Sequence, residues 1–280
     1  STSSTQSIFA TNLKGTHRLT DRFTVDWSGV FSQARAEDPD RTYVTLTNTV
    51  GRSAGAEGDA VSGDIWSHNK NILKTLPKNA ERRFQHNKDT DWAGYINLAY
   101  DTRFGDKLDA LWKVGAQYRR KERSNRYYSY VFNPADISQQ LDGNGYEQFA
   151  NVDWVCKTPY SQASQLNYDS KEHIGGVYAM ATLSSALGEL NVGLRAEHTN
   201  QIYTMLQHFR NMGQVGEQSY WDYLPSASVK WTPTKKMNVR LSYYRSINRP
   251  GFYEIVPYQI QGEEYQEKGN PELKRARIDN

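Results

Sequence analysis

Lys236–Arg275 reads KMNVRLSYYRSINRPGFYEIVPYQIQGEEYQEKGNPELKR, and its first dozen residues set the terms for the whole chain. Met237, Val239, Leu241 and Tyr243 fall on one side of a strand while Asn238, Arg240, Ser242 and Tyr244 fall on the other, because successive strand side chains alternate faces. The strand ends at Arg249-Pro250, where proline has no N–H to give to a ladder. A loop rich in tyrosine and glutamate follows and closes at the turn signal Gly269-Asn270-Pro271.

The same two-sided pattern recurs upstream. Ala227, Val229 and Trp231 precede a turn at Pro233-Thr234-Lys235 and make the partner arm of this strand. Before it, Val177, Ala179, Ala181 and Leu183 turn at Gly188 into Leu190, Val192, Leu194 and Ala196, with Asn191, Gly193, Arg195 and Glu197 opposite. Ile96, Leu98, Tyr100 and Phe104 turn at Gly105-Asp106 into Leu108, Ala110, Trp112, Val114, Ala116 and Tyr118, and Phe23, Val25, Trp27 and Phe31 follow Leu13 and Leu19 across Thr20-Asp21. The period predicts about eight strands as four hairpins, near residues 9–36, 91–120, 173–203 and 221–249.

Between the hairpins lie stretches without periodicity, near 37–90, 121–172, 204–220 and 250–276. The first includes GRSAGAEGDAVSGD, which reads as loop. Arms of about 10–14 residues exceed the average soluble strand of about 5–6. Connections alternate short and long. Both features predict an all-β, antiparallel up-and-down transmembrane β-barrel, here incomplete, with tight periplasmic turns and long extracellular loops. In such a wall the apolar face, with Trp27, Trp112, Leu194, Val239 and Leu241, meets outer-membrane lipid. The polar face, with Lys113, Arg195, Glu197, Asn238 and Arg240, lines a wet lumen. The alternative is a secreted or surface all-β sandwich that buries its apolar face, a ligand-binding module such as a glycan-recognising domain.

Composition agrees with a wall better than with a soluble core. Only 37% of residues are hydrophobic, yet tyrosine alone supplies 19 side chains, a balance suited to binding faces or interface girdles. A net charge of +3 is too small to point to nucleic acid. No run approaches the ~20 apolar residues of a membrane helix.

Specific words then join the pattern. Tyr223-Leu224-Pro225-Ser226, Tyr243-Tyr244-Arg245-Ser246-Ile247-Asn248-Arg249-Pro250 and Gly269-Asn270-Pro271-Glu272-Leu273-Lys274 together resemble the later barrel strands of TonB-dependent outer-membrane receptors, as does Gly193-Leu194-Arg195-Ala196-Glu197. These words cover about the last 90 residues. The resemblance implies a barrel of about 22 strands closed by a plug domain. It also implies import of a scarce large nutrient, an iron chelate, cobalamin or glycan, driven by the TonB energy-transducing complex. Neither plug nor energising box is read in this sequence, so the chain is expected to be a middle piece of such a barrel that neither spans a membrane nor transports alone, its open strand edges being intolerable in lipid.

Chemistry is sparse. His17, His68, His86, His173, His198 and His208 show no metal-ligand spacing, and Cys156 stands without a CxxC or histidine partner, so no metal, cofactor or catalytic role is expected. Glu263, Glu264 and Glu267 read as solvated charge. The run Arg119-Arg120-Lys121-Glu122-Arg123 reads either as a solvated strand end or as a contact for anionic lipid head groups. Tyr127, Tyr128 and Tyr130, and later Phe252, Tyr253 and Tyr258, read as an outer aromatic girdle or as stacking platforms for a ligand.

Overall fold

The computed structural model describes residues 3–48, 75–136, 152–158, 166–206, 214–234, 236–261 and 265–280. Their strands are β1 Thr5–Arg18, β2 Phe23–Asn48, β3 Thr75–Phe104, β4 Leu108–Pro134, β5 Trp154–Thr158, β6 Tyr168–Ser185, β7 Gly188–Met205, β8 Val215–Thr234 and β9 Met237–Asn248, then β10 Gln259–Gln261, β11 Gln266–Lys268 and β12 Ala276–Asp279. One short helix, α1, spans Phe252–Ile255. Ten strands form one sheet in the order β1-β2-β3-β4-β6-β7-β8-β9-β12, with β5 also on β4, while β10 and β11 pair separately. The eight strands read from periodicity are all present; β5 and β12 are added to their sheet, and β10 and β11 form the separate pair.

Several of those strands are longer than periodicity indicates. Of the expected loop 37–90, residues 37–48 and 75–90 belong to β2 and β3, and 49–74, with GRSAGAEGDAVSGD, lie outside the described residues. Of 121–172, β4 takes residues to Pro134, β5 takes Trp154–Thr158 and β6 starts at Tyr168. Of 204–220, β7 continues to Met205 and β8 starts at Val215. In these extensions charged and polar residues fall on both faces and interrupt the apolar alternation, so the period that reveals a membrane-crossing strand is missing while the backbone ladder continues.

The chain divides into two compact units, residues 1–4, 37–85 and 127–164, and residues 5–36, 86–126 and 165–280. Within the first, side chains bridge strands by charge and ring contacts. Arg82 Nε donates to Asp40 at 3.2 Å, the Arg83 guanidinium lies 4.5 Å from the Tyr43 ring centre, and Phe84 meets Tyr130 edge-on at 5.9 Å. Cys156, read as a loop thiol, sits instead on β5 opposite Phe132, exposed and free.

Within the second unit the register keeps each face intact. Trp112, Ala181, Val192, Ala227 and Tyr243 form one row across β4, β6, β7, β8 and β9, and the next row, Lys113, Met180, Gly193, Ser226 and Tyr244, lies on the opposite face. A slip of one residue would exchange the faces. The apolar face is the open one, with Leu194 53% and Leu241 74% exposed, together with Trp112, Val177, Trp221 and Trp231. Burial falls on the polar face, at Glu172, Glu197, Thr199, Gln201 and Asp222. This inverts the order of a soluble sandwich.

Tight turns hold the hairpins. Gly105 takes φ +60° in the β3–β4 turn, and Gly188, which opens β7 just after the turn at Ala186-Leu187, takes φ +147° with room for no side chain, since a Cβ there would lie 2.0 Å from the Lys230 carbonyl oxygen. The β8–β9 ladder runs up to Ser226 opposite Tyr244 and stops beside Pro225, which has no N–H to offer. Beyond that point β9 pairs with β12 from Arg245 to Asn248.

Candidate functional site

The most highly organised part of the polar face lies in the second unit, where the segment after β9 returns across β4, β6, β7 and β8. This strap runs from Arg249 to Arg275. Instead of leaving the wall at Arg249-Pro250, the chain buries Pro250 and seats Phe252, Ile255, Val256 and Tyr258 as a small apolar core.

Strand residues clamp it at both ends. Glu197, 7% exposed, accepts hydrogen bonds from Arg195 on its own strand and from Arg249 of the strap, and Arg249 Nε also donates to Thr199 Oγ1 at 3.0 Å. Gln201 Nε2 donates to Glu172 Oε2 at 2.7 Å and to the Pro250 carbonyl at 3.1 Å. At the far end Gln218 Nε2 donates to the Pro271 carbonyl at 2.6 Å, and Asp222, 1% exposed, accepts from Arg275 at 2.7 Å and from Arg277 at 3.0 Å. Arg275 also lies 4.2 Å from the Tyr220 ring centre. Charges this enclosed require partners, and Glu197 and Asp222 have two arginines each.

The strap has internal order of its own. Gly251 N–H donates to Glu254 at the start of α1, and Asn270 N–H donates to the Glu254 carbonyl at 2.7 Å. Gly269 passes so close to Val256 that a Cβ would lie 1.8 Å from its carbonyl oxygen, which explains a glycine at the head of the Gly269-Asn270-Pro271 turn. The Asn270 side chain then accepts from the Glu272 N–H at 3.0 Å, an Asx turn. Tyr253 and Tyr258 stack at 4.5 Å and both donate to Glu267, at 2.8 and 2.7 Å. Those two hydroxyls hold the Glu267 carboxyl below the usual carboxylate range. Burial is the main cause that pushes the Tyr253 hydroxyl up to about 12, and burial again drives Tyr258 upward. Glu267, expected to be merely solvated, is therefore a structural acceptor.

The residues singled out from sequence separate into groups. Arg195 and Glu197 meet in the clamp. Lys113 lies half-buried in the row of Met180 and Gly193. Asn238 and Arg240 lie exposed on β9, Arg240 opposite Lys230, which in turn stands opposite Glu189. Phe252 and Tyr258 are buried in the strap, with the Lys121 and Arg123 head groups 5.7 and 5.9 Å from the Phe252 ring centre; Tyr253 keeps an open edge. Tyr127, Tyr128 and Tyr130 lie on β4 in the first unit and alternate faces there, Tyr128 the most open.

The basic run needs a correction. Arg119 and Arg123 lie on the polar face, where Arg119 Nε donates to Asp91 at 3.0 Å and Arg123 donates to Asp89 through Nε and Nη2, each at 2.6 Å. Only Arg120 points to the apolar face, and its Nε donates to Glu122 at 3.1 Å. A head-group contact through Arg119 is thus excluded by strand alternation.

Thr199, Gln201, Glu172, Asp222, Gln218 and the strap arginines were missed by sequence reading. Thr199 and Gln201 continue the phase of Arg195 and Glu197, a signal that was available. The Ser170 hydroxyl, Gln201 Oε1 and Tyr220 hydroxyl are enclosed with no partner among the described residues, so this face retains unused hydrogen-bonding capacity. Among the described residues no group of three histidine, cysteine or acidic side chains could hold a metal. His173 bonds Tyr118 and His198 bonds Ser219 instead; His68 and His208 lie outside the described residues.

Comparison with known proteins places this geometry. Residues 66–280 match the family described as outer membrane protein beta-barrel family. The chain superposes on the ferric-catecholate import receptor Fiu from Escherichia coli in its closed form with a TM-score of 0.57 and 13% identity, covering 94% of this chain and 36% of that one. It superposes on the ferric citrate transporter FecA in the unliganded form with a TM-score of 0.53 and 12% identity, covering 86% and 27%. For the siderophore receptor PiuA from Acinetobacter baumannii the values are 0.51 and 14%, covering 88% and 33%. The chain therefore spans about a third of the length of these structures, and the likeness is one of fold. No curated protein sequence matches the chain.

Proposed function

The chain belongs to the outer membrane protein beta-barrel family, and from that premise we propose that it forms part of the wall of a TonB-dependent receptor that imports an iron chelate. The observation that carries the proposal is the inverted wall: open aromatic and aliphatic side chains on one face, and on the other buried carboxylates paired with arginines that clamp a folded strap. A secreted glycan-binding module would not leave Leu194, Trp231 and Leu241 in water.

In the full-length protein the polar face meets a plug domain, and the TonB complex supplies the energy that displaces it. Lys113, Asn238 and Arg240, which the strap does not engage, are positioned to contact plug or ligand. Of the loop aromatics, Tyr253 and Tyr128 are the ones open enough to stack on a ligand. The role is transport and not catalysis. The iron chelate is favoured over cobalamin or a glycan because the similar folds named above are receptors for ferric citrate, ferric catecholates and siderophores.

Uptake by the native host tests this. Cells lacking the full-length protein are expected to lose accumulation of a ferric chelate under iron limitation, and to regain it on complementation. Loss of labelled cobalamin or oligosaccharide uptake, with iron uptake intact, would replace the ligand class; no change in any uptake would remove the import reading.

A further inference from the structure

Within the second unit the apolar face of β1–β4 holds a groove of about 390 Å³. Leu13, Phe31, Trp92 and Tyr118 wall it, and Gly29 and Gly94 form its floor. Neither glycine is forced by its surroundings, since a Cβ at either would meet nothing within 4 Å. The groove exists because those two side chains are missing. An aromatic ladder crosses it, Phe9 to Phe31 at 6.1 Å and Phe31 to Trp92 at 4.3 Å.

Cations gather just beyond that ladder, on the same face. Arg35 follows Phe31 by four residues on β2, Lys88 precedes Trp92 by four on β3, which runs the other way, and Arg120 follows Tyr118 by two on β4. On β6, Lys171 stands opposite Glu122. All four cations are exposed, and among the described residues no ion pair holds Arg35, Lys88 or Lys171. Glu122 faces the same way and is bonded to Arg120. Aromatic side chains mark the membrane–water boundary of a barrel, so these cations stand at head-group depth and the glycine floor lies at acyl-chain depth.

We propose that this groove is a binding site for one anionic, phosphate-bearing lipid of the leaflet on the loop side, its acyl chain lying over Gly29 and Gly94 and its phosphate on Lys88, Lys171 and Arg35. The site is independent of what the receptor imports. It also relocates the lipid contact from the basic run of β4 to cations contributed by β2, β3 and β6.

The test uses the full-length protein, purified in detergent, stripped of lipid and given lipid A or phosphatidylcholine in mixed micelles, with retention read by native mass spectrometry. The wild type is expected to retain lipid A at least about tenfold over phosphatidylcholine. Gly29→Leu with Gly94→Leu, and separately Lys88→Glu with Lys171→Glu, are each expected to abolish that preference without changing phosphatidylcholine retention. Folding is checked by heat-modifiable gel mobility, and if the leucine pair does not fold the charge-reversal pair decides the matter alone. Equal retention of the two lipids by the wild type, or an unchanged preference in a folded variant, overturns the proposal.

Discussion

The polar face of β6–β8 and the polar face of β9 belong to one sheet and carry the same kinds of residue, yet they differ in state. On β6–β8, Glu172, Glu197, Gln201 and Asp222 are enclosed, and Glu197 and Asp222 are each paired with two arginines. On β9, Asn238 and Arg240 stand open. The difference is the strap, which crosses the first and leaves the second uncovered. Alternation decides which way a side chain points, but tertiary cover decides whether its charge is buried, paired and energetically important.

That contrast predicts unequal penalties for equal-looking substitutions. Glu197→Ala leaves Arg195 and Arg249 without their shared carboxylate and is expected to cost about 3–5 kcal/mol, because removing one partner strands enclosed charge. Proteolysis within Phe252–Tyr258 of the full-length protein should rise in step. Arg240→Ala, on the uncovered strand, should change stability by no more than about 0.5 kcal/mol. Equal effects in chemical denaturation would break the comparison.

The opposite face supplies the next largest effect. Leu194→Arg, adjacent in sequence to an arginine that the wall accepts, should destabilise the protein in bilayers by about 2–4 kcal/mol, the cost of a cation on the lipid side near the midplane. Gly269→Ala sharpens the strap's part: the added methyl meets the Val256 carbonyl, and a loss of about 1–3 kcal/mol is expected, with strap proteolysis as the readout.

The smallest effect is a pH dependence confined to the strap. Tyr253 and Tyr258 are raised, so the neutral hydroxyls are favoured when folded; their contribution is fully present below the ordinary tyrosine value of about 10 and is lost as pH rises through the folded value, about 12 for Tyr253. Glu267 has the reverse sense, its contribution being lost as pH falls below the usual carboxylate range. Tyrosinate absorbance of the full-length protein against Tyr253→Phe with Tyr258→Phe should show two late-titrating groups missing from the variant.

Much of this wall was legible in the sequence wherever one face is apolar. Trp112 to Tyr118 and Leu190 to Ala196 announce their period because lipid demands one greasy face and the lumen tolerates a polar one. The signal fades at Asp40, Arg82 and Arg123, where charged residues fall on both faces and the pairing is marked by cross-strand charge pairs and ring contacts that no local period announces. The clamp was legible in part. Arg195 and Glu197 sit in a strand with a clear period, but Arg249 and Arg275 lie in a segment that reads as loop, and their contacts with Glu197 and Asp222 span about fifty residues of chain. No local pattern encodes a long-range pairing of that kind. Phe252 and Tyr258 looked like girdle aromatics because composition does not distinguish a ring facing lipid from one buried under a returning strap.

Depth-resolved labelling along β7 addresses the inverted wall most directly. Single cysteines at Asn191, Val192, Leu194 and Arg195 of the full-length protein, made in a Cys156→Ser background, would carry a fluorophore read against brominated lipid and a water-soluble quencher. Val192→Cys and Leu194→Cys should be quenched by lipid, and Asn191→Cys and Arg195→Cys by the aqueous agent or not at all. Uniform quenching along the four positions, or lipid quenching at Asn191 and Arg195 in place of their neighbours, would contradict the assignment of the two faces.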